Sequence, residues 1–319
     1  MELVEELLKG DRKAAARLIS LVENASPKAR EALRLIYQHP GHAHVVGVTG
    51  PSGVGKSCLI EKTTQVYRES GKTVGIIAVD PNSAFTGGAI LGDRVRMQQH
   101  YDDEGVFIRS MSTRGFLGGL SAVTKDAVKI LDAYGKDIII IETAGVGQSE
   151  VDIINFAHTT LLTLMPGIGD EIQMLKAGIL EIGDIFVVNK ADLEGVERTV
   201  KELEDMLNMG QGKEGWKPPV LKTVASTGKG IRELVGRVQE HMNYMVKSKL
   251  LERKVVDMVE NEVIELVTQK TTRHFSDLVK KDSELQAIIK KTVQREIDPY
   301  TASENILKYV LKTGAKANL

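Results

Sequence analysis

Short runs of apolar and β-branched residues punctuate the middle of the chain: His44 to Thr49, Thr73 to Val79, Val106 to Ile108, Asp137 to Ile141, Thr160 to Met165, Asp184 to Val188 and Val220 to Val224. Several are apolar throughout instead of alternating, which suits strands buried on both faces of a mostly parallel sheet. Amphipathic helical stretches separate them, so the pattern predicts an α/β, doubly wound fold. Ahead of this region Leu3, Leu7, Leu18, Ile19 and Val22, then Leu33 and Ile36, recur near helical spacing. They predict two or three short helices, broken near Gly10 and at Ser26-Pro27. After about Lys247 the strand pattern stops. Val255, Val256, Val259, Val263, Ile264 and Val267, then Leu285, Ile288, Ile289 and Val293, continue as helix. Three regions are therefore expected: an N-terminal helical extension (1–40), an α/β domain (41–246) and a C-terminal helical region (247–319). The apolar face of the last either packs on the α/β domain or forms a dimerisation arm.

Bulk properties narrow the class only slightly. The 319 residues are 42% hydrophobic and 27% charged, as in an ordinary soluble globular protein. Lys and Arg number 42 against 43 Asp and Glu, a net charge of −1, which gives no electrostatic support for nucleic-acid or acidic-membrane binding. The single cysteine, Cys58, cannot form an intrachain disulfide. No apolar run reaches the length of a membrane span, and the acidic start Met1-Glu2-Leu3-Val4-Glu5-Glu6 is unlike a secretory or transit signal. These features predict a cytoplasmic location.

The first chemistry-bearing stretch is Gly50-Pro51-Ser52-Gly53-Val54-Gly55-Lys56-Ser57, a complete G-x-x-x-x-G-K-[ST] match that follows one predicted strand and opens a helix. Its glycines let the backbone turn tightly, so that several N–H groups point at phosphate oxygens, and the helix N-terminus adds a favourable dipole. Gly50, Ser52, Gly53, Val54, Gly55, Lys56, Ser57 and Cys58 are thus the expected phosphate-binding residues. Lys56 is expected to neutralise β/γ-phosphate charge, and the Ser57 hydroxyl to hold Mg²⁺. The Cys58 thiol has no adjacent His or metal-ligand partner in sequence and reads as a small packing group in the first helical turn.

Asn189-Lys190-Ala191-Asp192 follows the run Ile185 to Val188 and matches the N-K-x-D pattern of guanine-specific sites. Asp192 can accept hydrogen bonds from the guanine N1–H and 2-amino group. Adenine lacks both donors and would leave the carboxylate unpaired. The Lys190 stem can lie along the base, and Asn189 can tie the loop together. Thr223-Val224-Ala225-Ser226-Thr227-Gly228, after the last predicted strand, is the expected second guanine loop. Val224 and Ala225 stand where GTPases usually carry Ser-Ala. The Ala225 N–H can reach guanine O6, but the supporting serine hydroxyl is missing.

Glu142-Thr143-Ala144-Gly145 ends the run Asp137 to Ile141, where most GTPases have D-x-x-G. Glutamate thus replaces the aspartate expected near Mg²⁺, while Gly145 is placed to read the γ-phosphate. Asp80 ends another run, and Asp93 follows the glycine-rich stretch Thr86-Gly87-Gly88. Both are candidate metal or water-ordering carboxylates, with turn capping as the alternative. Ser57, Asp80, Asp93 and Glu142 make up the candidate metal set. Lys56, Asp93, Glu142 and Gly145 make up the candidate catalytic set. Immediately after Gly145, where a water-positioning glutamine is usual, stands Val146, with Gln148 further on. An apolar residue there predicts slow intrinsic turnover.

Long stretches outside these short motifs carry a family resemblance. They are Asp80-Pro81-Asn82-Ser83-Ala84-Phe85-Thr86-Gly87-Gly88-Ala89-Ile90-Leu91-Gly92-Asp93-Arg94, Ser112-Thr113-Arg114-Gly115-Phe116-Leu117-Gly118-Gly119-Leu120-Ser121, Glu142 to Glu150 and Pro166-Gly167-Ile168-Gly169-Asp170-Glu171. With them the chain resembles the methylmalonyl-CoA mutase-associated GTPases, G-protein chaperones of B12-dependent acyl-CoA mutases, also known as arginine/ornithine transport system kinases. The resemblance implies a P-loop GTPase domain with bound GTP or GDP and Mg²⁺, flanked by short N-terminal helices. It implies a homodimer joined through the C-terminal helical arm, and a role in gating adenosylcobalamin transfer to the mutase and protecting it. It also implies metal ligands at Ser57, Asp80, Asp93 and Glu142, and an additional switch at Gln173 to Gly178 that includes Lys176. The chain departs from the family pattern at Ala144, where valine is more usual, at His158, where aspartate is common, and at Val224. His158 reads as a packing residue.

Other readings of the same motifs make different demands. A nickel-insertion GTPase would need Cys and His ligands, but the chain has one cysteine and seven histidines, of which only His39, His42 and His44 cluster. A protein kinase of a transport system would need a base to activate an acceptor hydroxyl, and no such base can be identified. A non-enzymatic nucleotide-gated scaffold would differ by lacking multiple turnover.

Overall fold

A computed structural model of the chain describes residues 2–80, 100, 102–112, 119–143, 145, 156–167, 182–209 and 215–314. Short helices α1 (Glu2–Leu8), α2 (Arg12–Glu23) and α3 (Pro27–Ile36) come first. Gly10 breaks the first pair with φ +85°, and the Asp11 carboxylate caps α2 by accepting from Ala14 N–H at 2.7 Å. Pro27 opens α3, a position where its missing N–H costs nothing.

The strands are β1 (His44–Thr49), β2 (Val74–Asp80), β3 (Val106–Ser112), β4 (Ile138–Thr143), β5 (Thr159–Leu164), β6 (Ile185–Val188) and β7 (Val220–Lys222). All pair in parallel, in the order β3-β2-β4-β1-β5-β6-β7. Every predicted strand is present, with ends shifted by a few residues. The last stops at Lys222, because Val224 turns back to form an isolated bridge with Lys229. Helices α4 (Lys56–Glu69), α5 (Gly119–Ala133), α6 (Val196–Met209) and α7 (Ile231–Lys247) follow β1, β3, β6 and β7.

Strand periodicity divides the core between the two faces. Val45, Ile77, Val79, Ile139 and Ile141 face α1, α2, α3 and α5 in one cluster. Val46, Val48, Ile76, Ile138 and Ile140 face α4 and α7 in the other. The N-terminal helices thus bury their apolar stripe on the sheet itself. Burial on both faces is the reason β4 reads as four consecutive isoleucines, each contributing roughly 1.5–3 kcal/mol of apolar burial.

A buried polar chain closes the sheet at the amino ends of its central strands. Thr159 Oγ1 lies 2.8 Å from His44 Nε2 and 2.9 Å from His241 Nδ1, and the Asp184 carboxylate accepts from Thr160 N–H at 2.8 Å. His158 Nδ1 accepts from Val45 N–H at 3.1 Å while His158 N–H donates to Val45 O, extending the β1–β5 ladder by one step. Burial pushes the His44 imidazole down to about 3, aided by His158, His241 and Lys254. Burial and Lys254 push His158 down to about 4. Both are neutral packing residues, as read for His158.

Contacts divide the chain into two compact units, Met1–Met258 and Val259–Leu319. The boundary falls inside α8 (Leu250–Lys281), which has no buried residue along its length. In the second unit α9 (Ser283–Val293) is capped by Asp282 and pairs with α10 (Pro299–Gly314). Leu285 and Ala302 are buried there, and Tyr309 donates to Asp282 Oδ2 at 3.0 Å. No helix among the described residues is long and apolar enough to cross a membrane.

Candidate functional site

The carboxyl ends of β1, β4, β5 and β6 meet the amino end of α4, the crevice where open α/β sheets bind ligands. The loop from β1 to α4 has φ +144° at Gly50, +82° at Gly53 and +93° at Gly55, values that favour glycine. Space adds a second constraint. A Cβ on Gly50 would lie 2.0 Å from Thr163 O, and one on Gly55 2.6 Å from Asn189 Nδ2. Lys56 is only 6% exposed, and its ammonium donates to Gly50 O at 2.7 Å and Pro51 O at 2.9 Å. The cation is thereby held across the mouth of the loop. Cys58 packs part-buried against the α4-side core, and burial raises its thiol above the usual range, as expected of a packing cysteine.

Asn189 is the junction of the base side. Its Nδ2 donates to Val54 O at 2.8 Å, and its Oδ1 accepts from Ala225 N–H and from the Thr223 hydroxyl, both at 3.1 Å. One buried amide therefore clamps the phosphate loop to the loop after β7. Lys190 takes a left-handed conformation (φ +54°), rare for a residue with a side chain, and its ammonium donates to Gly53 O at 2.7 Å. Ala191 N–H donates to Thr223 O, leaving Asp192 exposed at the rim. The Ala225 N–H expected at guanine O6 is directed at Asn189 Oδ1 instead, so a base oxygen there would share it. Val224 is buried in the core, which accounts for an apolar residue at that position.

On the metal side, Ser57 Oγ donates to Glu142 Oε1 at 2.7 Å. Register explains the meeting: Glu142 pairs with Val48 on β1 and Ala78 on β2, so its carboxylate emerges beside the first turn of α4. Glu142 is 8% exposed. A half-buried hydroxyl and a buried carboxylate converging beside a helix N-terminus are hard oxygen donors of the kind Mg²⁺ takes, so this pair fits that ion. Asp80 ends β2 next to β4, while Asp93 and the expected switch at Gln173 to Gly178 lie outside the described residues, as do Ala144 and Val146 to Glu150. Among the described residues no group of three or more His, Cys, Asp or Glu side chains is gathered. His39 and His42 are exposed, whereas His44 turns inward to Thr159.

Sequence reasoning passed over two threonines. Thr143 Oγ1 donates to Thr49 Oγ1 at 2.9 Å, and Thr49 donates to Gly145 O at 2.9 Å. The available signal was a hydroxyl at each strand end, one just before Gly50 and the other just after Glu142.

Fold and site together define a P-loop GTPase. The model of the methylmalonyl-CoA mutase-associated GTPase MeaB family matches residues 15–280, and the chain belongs to that family. A Pyrococcus abyssi protein named "Putative GTPase" is 50% identical over 316 residues, covering 98% of this chain and 97% of the relative. The mouse protein "Methylmalonic aciduria type A homolog, mitochondrial" is 31% identical over 320 residues, covering 95% and 77%. Among solved structures, "Crystal structure of LAO/AO transport system kinase" superposes with a TM-score of 0.73 at 23% identity, covering 97% of both chains, which establishes the shared fold.

Proposed function

We propose that this GTPase serves a B12-dependent acyl-CoA mutase, methylmalonyl-CoA mutase or a relative, gating the loading of adenosylcobalamin and protecting or reactivating the enzyme. The observation that carries the reading is the family match over residues 15–280, because that family is described by its association with methylmalonyl-CoA mutase.

Guanine is selected by Asp192, whose carboxylate accepts from N1–H and the 2-amino group, with Lys190 along the base and Asn189 holding the two loops in register. The backbone of Gly50 to Ser57 cradles the phosphates. Lys56 exchanges its Gly50 and Pro51 carbonyl partners for β- and γ-phosphate oxygens and stabilises charge on the transferring phosphoryl group. Ser57, Asp80, Asp93 and Glu142 would hold Mg²⁺, which supplies positive charge at the same oxygens when bound. Gly145 reads the γ-phosphate, so the loop it opens differs between GTP and GDP states, and the mutase reads that difference. With Val146 after Gly145, turnover is slow alone and the partner raises it.

The chain acts as a homodimer through α8. Val255, Val256, Val259, Val263, Ile264, Leu266 and Val267 make a wide apolar stripe on that helix, each at least 41% exposed.

The test is GTP turnover by the pure protein, alone and with a B12-dependent acyl-CoA mutase from the same genome. Faster turnover together with co-elution supports the reading. An unchanged rate with no co-elution leaves a GTPase without this partner.

A further inference from the structure

Two buried threonines join the roots of the loops that flank the phosphates. Thr49 is the last residue of β1 and immediately precedes Gly50. Thr143 is the last residue of β4 and immediately follows Glu142. Parallel pairing sets Val48 opposite Glu142, so the next residue on each strand, Thr49 and Thr143, also come side by side. Thr143 is fully buried and Thr49 is 2% exposed. Thr143 Oγ1 lies 2.9 Å from Thr49 Oγ1 and 3.2 Å from Gly145 O, and Thr49 Oγ1 lies 2.9 Å from that carbonyl. Each hydroxyl has one proton. The shorter contacts give one consistent direction, Thr143 to Thr49 to Gly145 O.

Packing alone does not call for these hydroxyls. Valine has nearly the same shape, and burying a hydroxyl is unfavourable unless its hydrogen bond is made. The relay of two hydroxyls ends on one carbonyl just where the chain leaves the sheet. The peptide bearing the Gly145 carbonyl is shared with residue 146, the position that most GTPases use to orient the attacking water.

We infer that Thr49 and Thr143 are positioning residues for GTP hydrolysis, fixing the peptide that leaves Gly145 relative to the phosphate loop at Gly50. The inference rests on the reading that places Gly145 at the γ-phosphate. The strand ends, which are rigid, then set backbone geometry next to the γ-phosphate, and the loop itself need not. The consequence falls on the GTP state and on hydrolysis, since GDP has no γ-phosphate to register.

The experiment is single-turnover GTP hydrolysis and GDP affinity for T49V and T143V, with T49S and T143S as hydroxyl-retaining controls and G145A as a check on the underlying reading. Each valine variant is expected to hydrolyse GTP at least about tenfold more slowly while GDP affinity stays within about twofold, and each serine variant to recover most of the rate. The double variant T49V/T143V is expected to lose no more than either single, because the two hydroxyls act as one chain. If one valine variant does not fold, the other carries the same measurement. Parent-like hydrolysis by the valine variants, serine variants as slow as the valines, or GDP affinity falling in step with the rate would each overturn the inference. An unimpaired G145A removes the underlying reading of Gly145. An impaired G145A with parent-like T49V and T143V removes only the positioning role.

Discussion

Ser57 Oγ donates a 2.7 Å hydrogen bond to Glu142 Oε1, joining the first turn of α4 to the end of β4. In most GTPases the strand-end carboxylate is aspartate. Here it is glutamate, and its carboxylate, rooted opposite Val48, meets the α4 hydroxyl directly. The contact draws the α4 hydroxyl onto a buried carboxylate even where the rest of the proposed ligand set comes from elsewhere in the chain.

Glu142→Gln should separate charge from shape. Its amide oxygen can still accept from Ser57, so the melting temperature should stay close to the parent's. On the proposed role, single-turnover hydrolysis should fall roughly 100-fold, the scale seen when one group aimed at developing charge is lost. Rates measured across a Mg²⁺ titration check this. A parent-like rate would remove Glu142 from the catalytic set.

Asn189→Ala should be the most damaging single change at the base side. It strands the Val54 carbonyl and the Ala225 N–H in a buried setting. Two such groups cost about 1–3 kcal/mol each, less any recovered by water. We expect about 3 kcal/mol of lost stability by urea denaturation. Because the two loops lose register, guanine-nucleotide affinity should also fall about 100-fold by titration calorimetry.

Acid should destabilise the protein through the buried histidines. The folded imidazoles of His44 and His158 titrate near 3 and 4, below an unfolded value of 6.5. Above 6.5 both states are neutral and stability is full. Below it the unfolded chain binds protons that the folded chain refuses, so stability falls as pH drops from 6.5 towards 4. The slope is about 1.4 kcal/mol per pH unit for each histidine, or roughly 2.5 kcal/mol for the pair at pH 5.5. Urea melts at pH 7.5 and 5.5 measure the loss. In H158N an amide oxygen can still accept from Val45 N–H, and the pH-dependent loss should shrink by about half.

Charging the α8 stripe should abolish self-association while leaving the GTPase fold intact. Val259 is 41% exposed and Val263 53%, so V259E/V263E removes no core packing within the chain. Sedimentation should show a dimer for the parent and a monomer for the variant, with far-UV dichroism unchanged. A parent already monomeric at micromolar concentration would overturn the dimer.

Much of this molecule was legible in one dimension because its determinants are local. Strands buried on both faces announce themselves as unbroken apolar runs, and Gly10 and Ser26-Pro27 break the N-terminal helices where backbone chemistry requires. The phosphate loop is contiguous, so spacing alone named Gly50 to Ser57. The candidate base and metal residues stood out by type, but their meeting did not. Asn189 clamps Val54 to Ala225, and Ser57 meets Glu142 across 85 positions of sequence, because parallel register and strand order bring those ends together. The diversion of Ala225 N–H to Asn189, the inward turn of His44 and the Thr143-Thr49-Gly145 chain likewise depend on which strand lies beside which. Local pattern and contiguous motifs carry the elements, the family and a list of candidate groups. Which of those groups share a hydrogen bond follows from strand order and register, because the partners lie far apart in the chain.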